Sequence, residues 1–508
     1  MKNMTFVRLQ IVIGYAVAAG CLAGCRVGPR YQRPPATAQA PPATYKESPQ
    51  NFPGSDAWKI AQPQDAMLRG KWWEIFNDPE LNSLEDKVNV DNQNIKRAFE
   101  NFMAARAVVA EAHSQLLPTV GFDPSYRRSG SSANSSSTTT AVPINRVSNS
   151  FSLPFDVSWE ADLFGRIRNT IREEQYAAQV TAADLENERL TEQASLAQFL
   201  FQIRGQDALL ALLKQTISDY EKTLEYTRAQ YETGVGTQIS VVEAQGNLQS
   251  AQAAATSVGV ARAQYEHAIA VLIGANPSSF SIPVQPLNAA PPAIPVGLPS
   301  QLLERRPDIA AAERTMAQAN AAIGVADAAF YPTVTLSGSV GLSSASLKHL
   351  FDWSSRVWSV GPDVSETIYD GGLRRATVRQ FVAIYNADVA NYRQTVLTAF
   401  EQVEDYLASV RILSQQIQQQ QQAVASAQQF VDLELARYQT GIDPYVNVLT
   451  AQNTLLGDQQ TLTNLRTQAM TSSVQLITAL GGGWDTSQLP TPAQVSQTPP
   501  ASQTSIQR

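Results

Sequence analysis

Histidine and cysteine are almost missing: three and two in 508 residues. His113, His267 and His349 lie far apart and match no ligand spacing, and Cys21 and Cys25 both sit near the N-terminus. Neither a metal centre, a nucleophilic site nor a disulfide framework is expected from so little. Charge is sparse as well. Charged residues make up 16% of the chain, the net charge is −7 and no basic block occurs, which argues against a nucleic-acid partner held through its phosphates. Between the N-terminal segment and the tail there is no apolar run long enough for a spanning helix, so any membrane crossing falls to strands. What the chain has in quantity is Ala, Gln, Ser and Thr, a mixture suited to long helices that face one another and water.

Lys2 and Arg8 precede an apolar stretch from Ile11 to Ala19, and Leu22-Ala23-Gly24-Cys25 closes it with small residues before a cysteine. This is the layout of an export signal, too short to span a bilayer. Its ending resembles a bacterial lipobox, which implies loss of residues 1–24, diacylglycerol and N-acyl groups on Cys25 and, with Arg26 following, an outer-membrane destination. Ala18-Ala19-Gly20-Cys21 is a weaker second candidate. Residues 25–51 are Pro/Ala/Gln-rich and read as an extended lipidated tether, and the tail after Trp484 is rich in Pro, Ser and Gln.

The chain repeats itself. Tyr231-Glu232-Thr233-Gly234-Val235 recurs as Tyr438-Gln439-Thr440-Gly441-Ile442, followed in step by Val241/Val448, Ala244/Ala451, Gln245/Gln452 and Leu248/Leu455, at an offset of about 207. Pro118-Thr119-Val120 returns as Pro332-Thr333-Val334 at about 214, so one half is a duplicate with a single seven-residue length change. Each half reads as helix, two strands, very long helix, tight turn, helix. Residues 81–116 and 300–330 form Ala-rich helices that stop before Pro118 and Pro332.

The periodicity then switches to two. Val120, Phe122 and Tyr126 mark one strand, and Phe151, Leu153, Phe155, Val157 and Trp159 the next. In the second half Val334, Leu336, Val340 and Leu342 mark a third, and Trp358, Val360, Val364 and Ile368 a fourth, with Glu366 breaking the apolar face near its end. Such strands suit a tilted bilayer crossing; a half-buried soluble sandwich is the plainer alternative. The Ser/Thr/Asn-rich loop from Ser129 to Ser150 fits an outward-facing connection between spanning strands. Four strands cannot close a barrel, and an open edge in lipid leaves backbone groups unpaired, so several copies must complete it together; three give twelve strands. Gly165 to Tyr231 and Gly372 to Tyr438 lack proline and read as helices about 100 Å long, each turning at Gly234 or Gly441 into a shorter returning helix, 238–274 or 445–480.

The runs WWEIFNDPELNSL (Trp72 to Leu84), SWEADLFGRIR (Ser158 to Arg168), GLPSQLLERRPDI (Gly297 to Ile309) and IYDGGLRRA (Ile368 to Ala376), with the two YxTG turns, resemble the outer-membrane efflux protein family of TolC-like outer membrane factors, in its OprM/NodT-type lipoprotein branch. The resemblance implies an α+β membrane protein: a homotrimer with a 12-stranded outer-membrane β-barrel, four strands per chain, continued by a long periplasmic α-helical barrel. A mixed equatorial region would comprise residues 52–80, 278–300 and 482–508, between repeats at 81–277 and 301–481. The implied function is the passive exit duct of a tripartite efflux pump, docked onto a periplasmic adaptor that is fed by an inner-membrane RND-type transporter. By position, Thr233, Gly234, Val235 and Gly236 with Thr440, Gly441 and Ile442 form the adaptor-docking tip. Val446 and Thr450 fall where relatives narrow the closed pore, and Asn447 where some carry an Asp. Glu243, the first-half equivalent of Thr450, is a candidate for an acidic pore ring, with a solvated helix face as the plainer reading.

Glu160 with Asp162 is the best carboxylate pair an enzyme could use, and it more simply faces a lumen at a strand end. A periplasmic coiled-coil adaptor or structural lipoprotein would share the anchor and hairpins but has no need of two repeated pairs of amphipathic strands. An outer-membrane component of another secretion system stays open as a further alternative, and the exported cargo is not written in the sequence.

Overall fold

The computed structural model describes residues 26–37, 44–47, 58–60, 70–130, 147–296 and 301–497; the signal segment, Cys21 and Cys25 lie outside them. In chain order the elements are β1 (Trp58–Ile60), α1 (Pro79–Asp91), α2 (Gln93–Ser114), β2 (Thr119–Phe122), β3 (Ser125–Gly130), β4 (Val147–Ala161), α3 (Arg166–Glu232) and α4 (Gln238–Leu272). There follow β5 (Ile294–Val296), α5 (Leu302–Arg305), α6 (Pro307–Ala328), β6 (Thr333–Ser344), β7 (Arg356–Ser365), α7 (Leu373–Gln439), α8 (Tyr445–Ala479) and α9 (Pro492–Val495). Three helix pairs repeat at identical length: α2 and α6 have 22 residues, α3 and α7 have 67, α4 and α8 have 35.

The two long helices start by the same chemistry. Gly165 and Gly372 precede them with φ of 82° and 94°, a left-handed turn that glycine adopts without a side-chain clash. Aspartates ahead of each glycine then occupy orphan amides: Asp162 accepts from Ile167 and Arg168 N–H at 3.1 and 3.0 Å, and Asp370 from Gly372 and Arg374 N–H at 2.8 and 3.2 Å. At 1.5 Å per residue each helix runs about 100 Å. Near the strands α2 and α6 pack beside α3 and α7; in the distal half α4 and α8 take their place, with α8 also lying on α3.

The 81–116 segment is not one helix. At Asn92 the backbone turns extended (ψ 126°), ending α1 and starting α2. The Asn92 side chain accepts from Asn94 and Ile95 N–H while its amide donates to Glu192 Oε2 at 3.0 Å and to the Leu272 carbonyl at 2.9 Å. A buried amide with four bonds fixes this break, and neither propensity nor periodicity signals it. The fourth strand likewise ends at Ser365, leaving Ile368 in an exposed turn outside the sheet. The first strand is interrupted at Asp123-Pro124, because proline has no N–H for the ladder, so β2 and β3 both pair with β4.

The described part of the N-terminal segment lies docked on the helices. Val27 N–H donates to the Phe164 carbonyl at 3.1 Å, and Asn169 and Asn320 amides donate to the Val27 and Pro29 carbonyls at 3.0 and 3.1 Å. Tyr31 donates to Glu313 Oε1 at 2.5 Å, Arg33 donates to the Tyr392 hydroxyl at 3.0 Å, and Glu47 accepts from Arg411 at 2.7 Å. Gly28 is required for the approach: its φ is 107° and a Cβ there would stand 2.5 Å from the Gly324 Cα.

Around the middle of α3 lies the largest core. Trp72, Trp73, Leu81 and Val88 pack against Leu196, Leu200, Phe201 and Ile203, and Val474 and Ile477 of α8 close the other side. A parallel strand pair, β1 with β5, belongs to this level, and the segment after α4 is stitched to it by charge-assisted bonds. Arg204 holds Asp78 and Glu80; Asp207 accepts from Arg262 at 2.7 Å and from Gln285 N–H at 2.9 Å; Arg262 donates to the Ile282 carbonyl at 2.7 Å. Glu85 is the exception. It is fully buried, its two carboxyl oxygens have no hydrogen-bond partner, and burial pushes its pKa well above the usual carboxylate range.

A carboxyl raised in this way keeps its proton in the folded protein after the unfolded chain has released its own. Stability therefore falls as pH rises above about 4.3. We expect Glu85→Gln to raise the thermal unfolding midpoint of detergent-purified protein at pH 8 and to flatten its decline between pH 5 and 8; a midpoint unchanged at both pH values would contradict the buried, unpaired carboxyl.

Candidate functional site

Two regions of the chain are organised for something other than their own packing: the two faces of the sheet and the distal helix turns. The sheet order is β2-β4-β6-β7, with β3 beside β2 on the same side of β4. Every pairing is antiparallel, so residues directly opposite share a face. The register therefore assembles continuous rows. Phe122, Phe155, Val340 and Trp358 form one, Val120, Val157, Gly338 and Val360 the next, and Trp159, Leu336 and Pro362 a third. On the opposite face the rows read Gly121, Asp156, Ser339, Ser359, then Thr119, Ser158, Ser337, Gly361, then Glu160, Thr335, Asp363.

The apolar face is not covered by anything among the described residues. Val120, Val340, Trp358 and Val360 are all more than half exposed, Trp358 and Val360 at 77%. Aromatic pairs reinforce it, Phe122 stacked on Phe155 at 4.6 Å and Tyr126 beside Phe151 at 4.7 Å. From Phe151 to Trp159 the strand covers about 27 Å, close to the height of a bilayer's hydrocarbon layer. At its helix end Trp159 donates its indole N–H to the Leu116 carbonyl at 2.9 Å, an amphipathic ring with its polar atom satisfied as it is at a membrane interface.

The carboxylates at the helix end of the sheet are structural. Glu160 forms a bidentate pair with Arg166 at 2.9 and 2.8 Å, and Asp162 holds Arg168 as well as the amides above. Both are occupied in starting α3, so the pair has no free base for acid/base work. Glu366, the residue out of pattern in the fourth strand, lies just past β7 and is bound by Arg374 at 3.0 Å.

The distal turns are near copies. Gly234 and Gly441 have φ of 79° and 76° and close their helices by accepting left-handed geometry. Thr233 and Thr440 hydroxyls donate back to the Ala229 and Ala436 carbonyls at 3.0 and 3.1 Å, and Val235 and Ile442 N–H donate to the Gln230 and Arg437 carbonyls, both at 3.0 Å. A Cβ on Gly234 or Gly441 would meet nothing within 4 Å, whereas one on Gly236 would crowd the Gln230–Tyr231 backbone at 3.1 Å. The outer surface at the first two glycines is thus open space, flanked by Val235 at 76% and Ile442 at 65% exposure. Pro444 is the N-cap of α8.

Between the turns the copies differ. Arg437 pairs with Asp443 and holds its carboxyl below the usual range, whereas the equivalent first-half positions are Gln230 and Gly236. Tyr438 and Tyr445 are buried with Leu224, Ala244 and Val448, while Tyr231, the copy of Tyr438, is half exposed. This tyrosine cluster, with Tyr220 and Tyr226 at its edge, locks one hairpin on the other. The sequence comparison hid it because a matched residue suggests a matched role. Val446 and Thr450 share the exposed face of α8, Thr450 donating to the Val446 carbonyl at 2.9 Å. Asn447 beside them is half-buried. Glu243 is half-buried on α4; the nearby Tyr445 phenol is kept protonated first by burial, then by Tyr220 and Tyr438, with Glu243 adding least.

Known proteins carry the same architecture. The family described as Outer membrane efflux protein matches residues 86–275 and 298–482, one stretch per repeat. The probable efflux pump outer membrane protein TtgC of Pseudomonas putida is 32% identical over 481 residues, covering 93% of this chain and 96% of that protein. Outer membrane protein OprJ of Pseudomonas aeruginosa is 31% identical, covering 91% and 94%. Among solved structures, the outer-membrane channel OprN superposes with a TM-score of 0.81 at 26% identity, covering 91% of this chain and all of that one. CusC superposes at 0.78, also at 26% identity. A sheet with one uncovered apolar face, carried on two very long helices and matched across both repeats, has a consistent reading: the chain belongs to the outer membrane efflux protein family and is an outer-membrane channel component of an efflux pump.

Proposed function

We propose that three copies of this chain join through their sheet edges into a closed twelve-stranded barrel, continued across the periplasm by a helical barrel, and that this tube is the passive exit duct of a tripartite pump. One observation carries the proposal: four amphipathic strands form an open sheet whose edges, β2/β3 and β7, have no partner strand among the described residues, although one face is built for hydrocarbon. Unpaired backbone in lipid costs several kcal/mol per group, and a four-strand sheet is too small to curl onto itself. Cyclic assembly removes the edges. Exposed apolar residues on the outer helices, Phe99, Val260, Leu397 and Leu433 among them, supply surfaces for the same association further from the membrane.

Closure turns the polar rows inward. Asp156 and Asp363 then line the lumen with Ser337, Ser339 and Ser359, a wide aqueous surface of negative charge that selects weakly and favours cations. The chain supplies no energy source of its own. The open space at Gly234 and Gly441 fits close approach of another helical hairpin, so a periplasmic adaptor is the expected partner of the tip, Thr233 to Gly236 and Thr440 to Ile442, and an inner-membrane RND-type transporter the expected pump. Val446, exposed on α8 just past the tip, is the proposed apolar constriction, with Thr450 one turn on. Glu243 is half-buried, which favours a structural role over a pore ring. Lipid on Cys25 is proposed as the anchor.

Detergent-purified protein should run as a trimer and give single channels in a planar bilayer; a monodisperse monomer without conductance would end the proposal. Val446→Gly is expected to increase uptake of large hydrophilic antibiotics severalfold in cells lacking the partner pump, with unchanged uptake counting against this constriction. Gly441→Leu introduces a left-handed non-glycine residue at about 1–2 kcal/mol; the trimer should survive, while crosslinking to the adaptor and drug resistance are lost together. Cys25→Ser should abolish incorporation of labelled palmitate, and labelling that persists until Cys21 is also changed would move the anchor to that residue.

A further inference from the structure

The outer ends of the strands carry cations that a channel wall does not need. On β3, Arg128 opposes Asn149, one same-face step beyond the Tyr126–Phe151 pair, so the register puts it on the apolar face. On β7, Arg356 opposes Leu342, which itself opposes Leu153, again on the apolar face. Both sit at the end of the sheet away from the long helices. Neither has an acidic partner among the described residues; Arg356 instead lies over the Trp353 ring.

The β6–β7 connection continues this surface. Leu347, Phe351 and Trp353 are exposed, the last two at 74% and 77%, and Lys348 is exposed among them. The connection is held in shape by two short helical turns, by buried Leu350 and by Ser355, which donates to the His349 carbonyl at 2.6 Å. His349 is bonded to Asp352, the one acid of this connection, at 2.8 Å, and Lys348, Arg128 and Arg356 form no ion pair among the described residues. At the opposite end of the sheet the pattern reverses: Glu160 is paired with Arg166, Glu366 with Arg374 and Trp159 with a carbonyl. Charges are settled within the chain on the helix side and left open on the outer side.

An exposed aromatic ridge is satisfied by acyl chains alone. Uncompensated guanidinium groups on that ridge, at the level where hydrocarbon ends, call for phosphate. We propose that Arg128, Arg356 and Lys348, with Phe351 and Trp353, form a binding site for the phosphorylated, multiply acylated glycolipid of the outer leaflet, its phosphates on the basic groups and its chains along Tyr126 and Trp358. Arg128 is on one edge of the sheet and Arg356 on the other, so the complete site lies at the seam where β7 of one subunit meets β3 of the next. In this the site rests on the trimeric barrel proposed above.

The test is native mass spectrometry of the full-length trimer in phosphatidylcholine nanodiscs doped with diphosphorylated lipid A, dephosphorylated lipid A or phosphatidylglycerol, alongside single-channel recording of the same preparation. Diphosphorylated lipid A should be retained, Arg128→Gln with Arg356→Gln should weaken it about tenfold or more, and Arg128→Lys with Arg356→Lys should keep most of it, all at unchanged conductance. Equal retention by the double glutamine variant, or of the dephosphorylated lipid, overturns the site while leaving the channel intact. Equal retention of phosphatidylglycerol overturns the assignment to the outer-leaflet glycolipid. Absence of trimer and conductance in the wild type overturns the barrel and the site together.

Discussion

Hydrogen bonding of the sheet edges is the constraint on which the rest depends. Among the described residues β4 and β6 have partners on both sides, and β2, β3 and β7 on one only. In water such edges would be solvated; beside hydrocarbon they would not. In the assembly proposed above, the alternation that gives the sheet its apolar face creates the need for copies, because the same residues that suit lipid remove water from the backbone at the edge. Length of strand, uncovered aromatic rows and an unclosed ladder are three expressions of one solvent.

The helices answer a different problem, distance. A 67-residue helix has no packing requirement that a shorter one lacks, and both copies keep this length while their returning helices keep 35. Along the way the packing changes hands: α2 and α6 cover the halves near the sheet, α4 and α8 the distal halves, and the bulky core sits where the exchange occurs. Trp72 and Trp73 fill that junction, and Arg204, Asp207 and Arg262 bind the connecting segment to it, so side chains of the middle set the relation between two otherwise separate helical layers. The docked N-terminal segment bridges the same interval, from Val27 beside Phe164 near the sheet to Glu47 at Arg411 near the core. An anchor attached ahead of it would be tied to the helices at these contacts.

Duplication preserved the frame and released the details. Gly234 and Gly441 keep the same φ because a left-handed turn tolerates little else, but Tyr231 is half exposed where Tyr438 is buried, and Gln230 with Gly236 replaces the Arg437–Asp443 pair. The two hairpins of the chain are therefore not equivalent: one carries Tyr438 and Tyr445 of the cluster that joins the two, and the other has a second turn glycine, Gly236. Matched positions give backbone geometry reliably and side-chain roles only where both copies meet the same neighbours.

The sequence by itself determined the elements: period-two apolar runs, proline-free stretches, glycine turns and the constant offset between halves give strands, long helices and their order, because these are local or nearly local properties of the chain. It placed the two distal turns at Gly234 and Gly441 for the same reason. Tertiary structure decided what depends on residues far apart. Asn92 breaks the first helix only because Glu192 and the Leu272 carbonyl are within reach, Glu160 and Asp162 become ion-pair and cap partners rather than free carboxylates, and the N-terminal segment docks because Gly28 meets Gly324. Each of these is a choice between solvent and a partner, and the partner is supplied by the fold, not by sequence spacing.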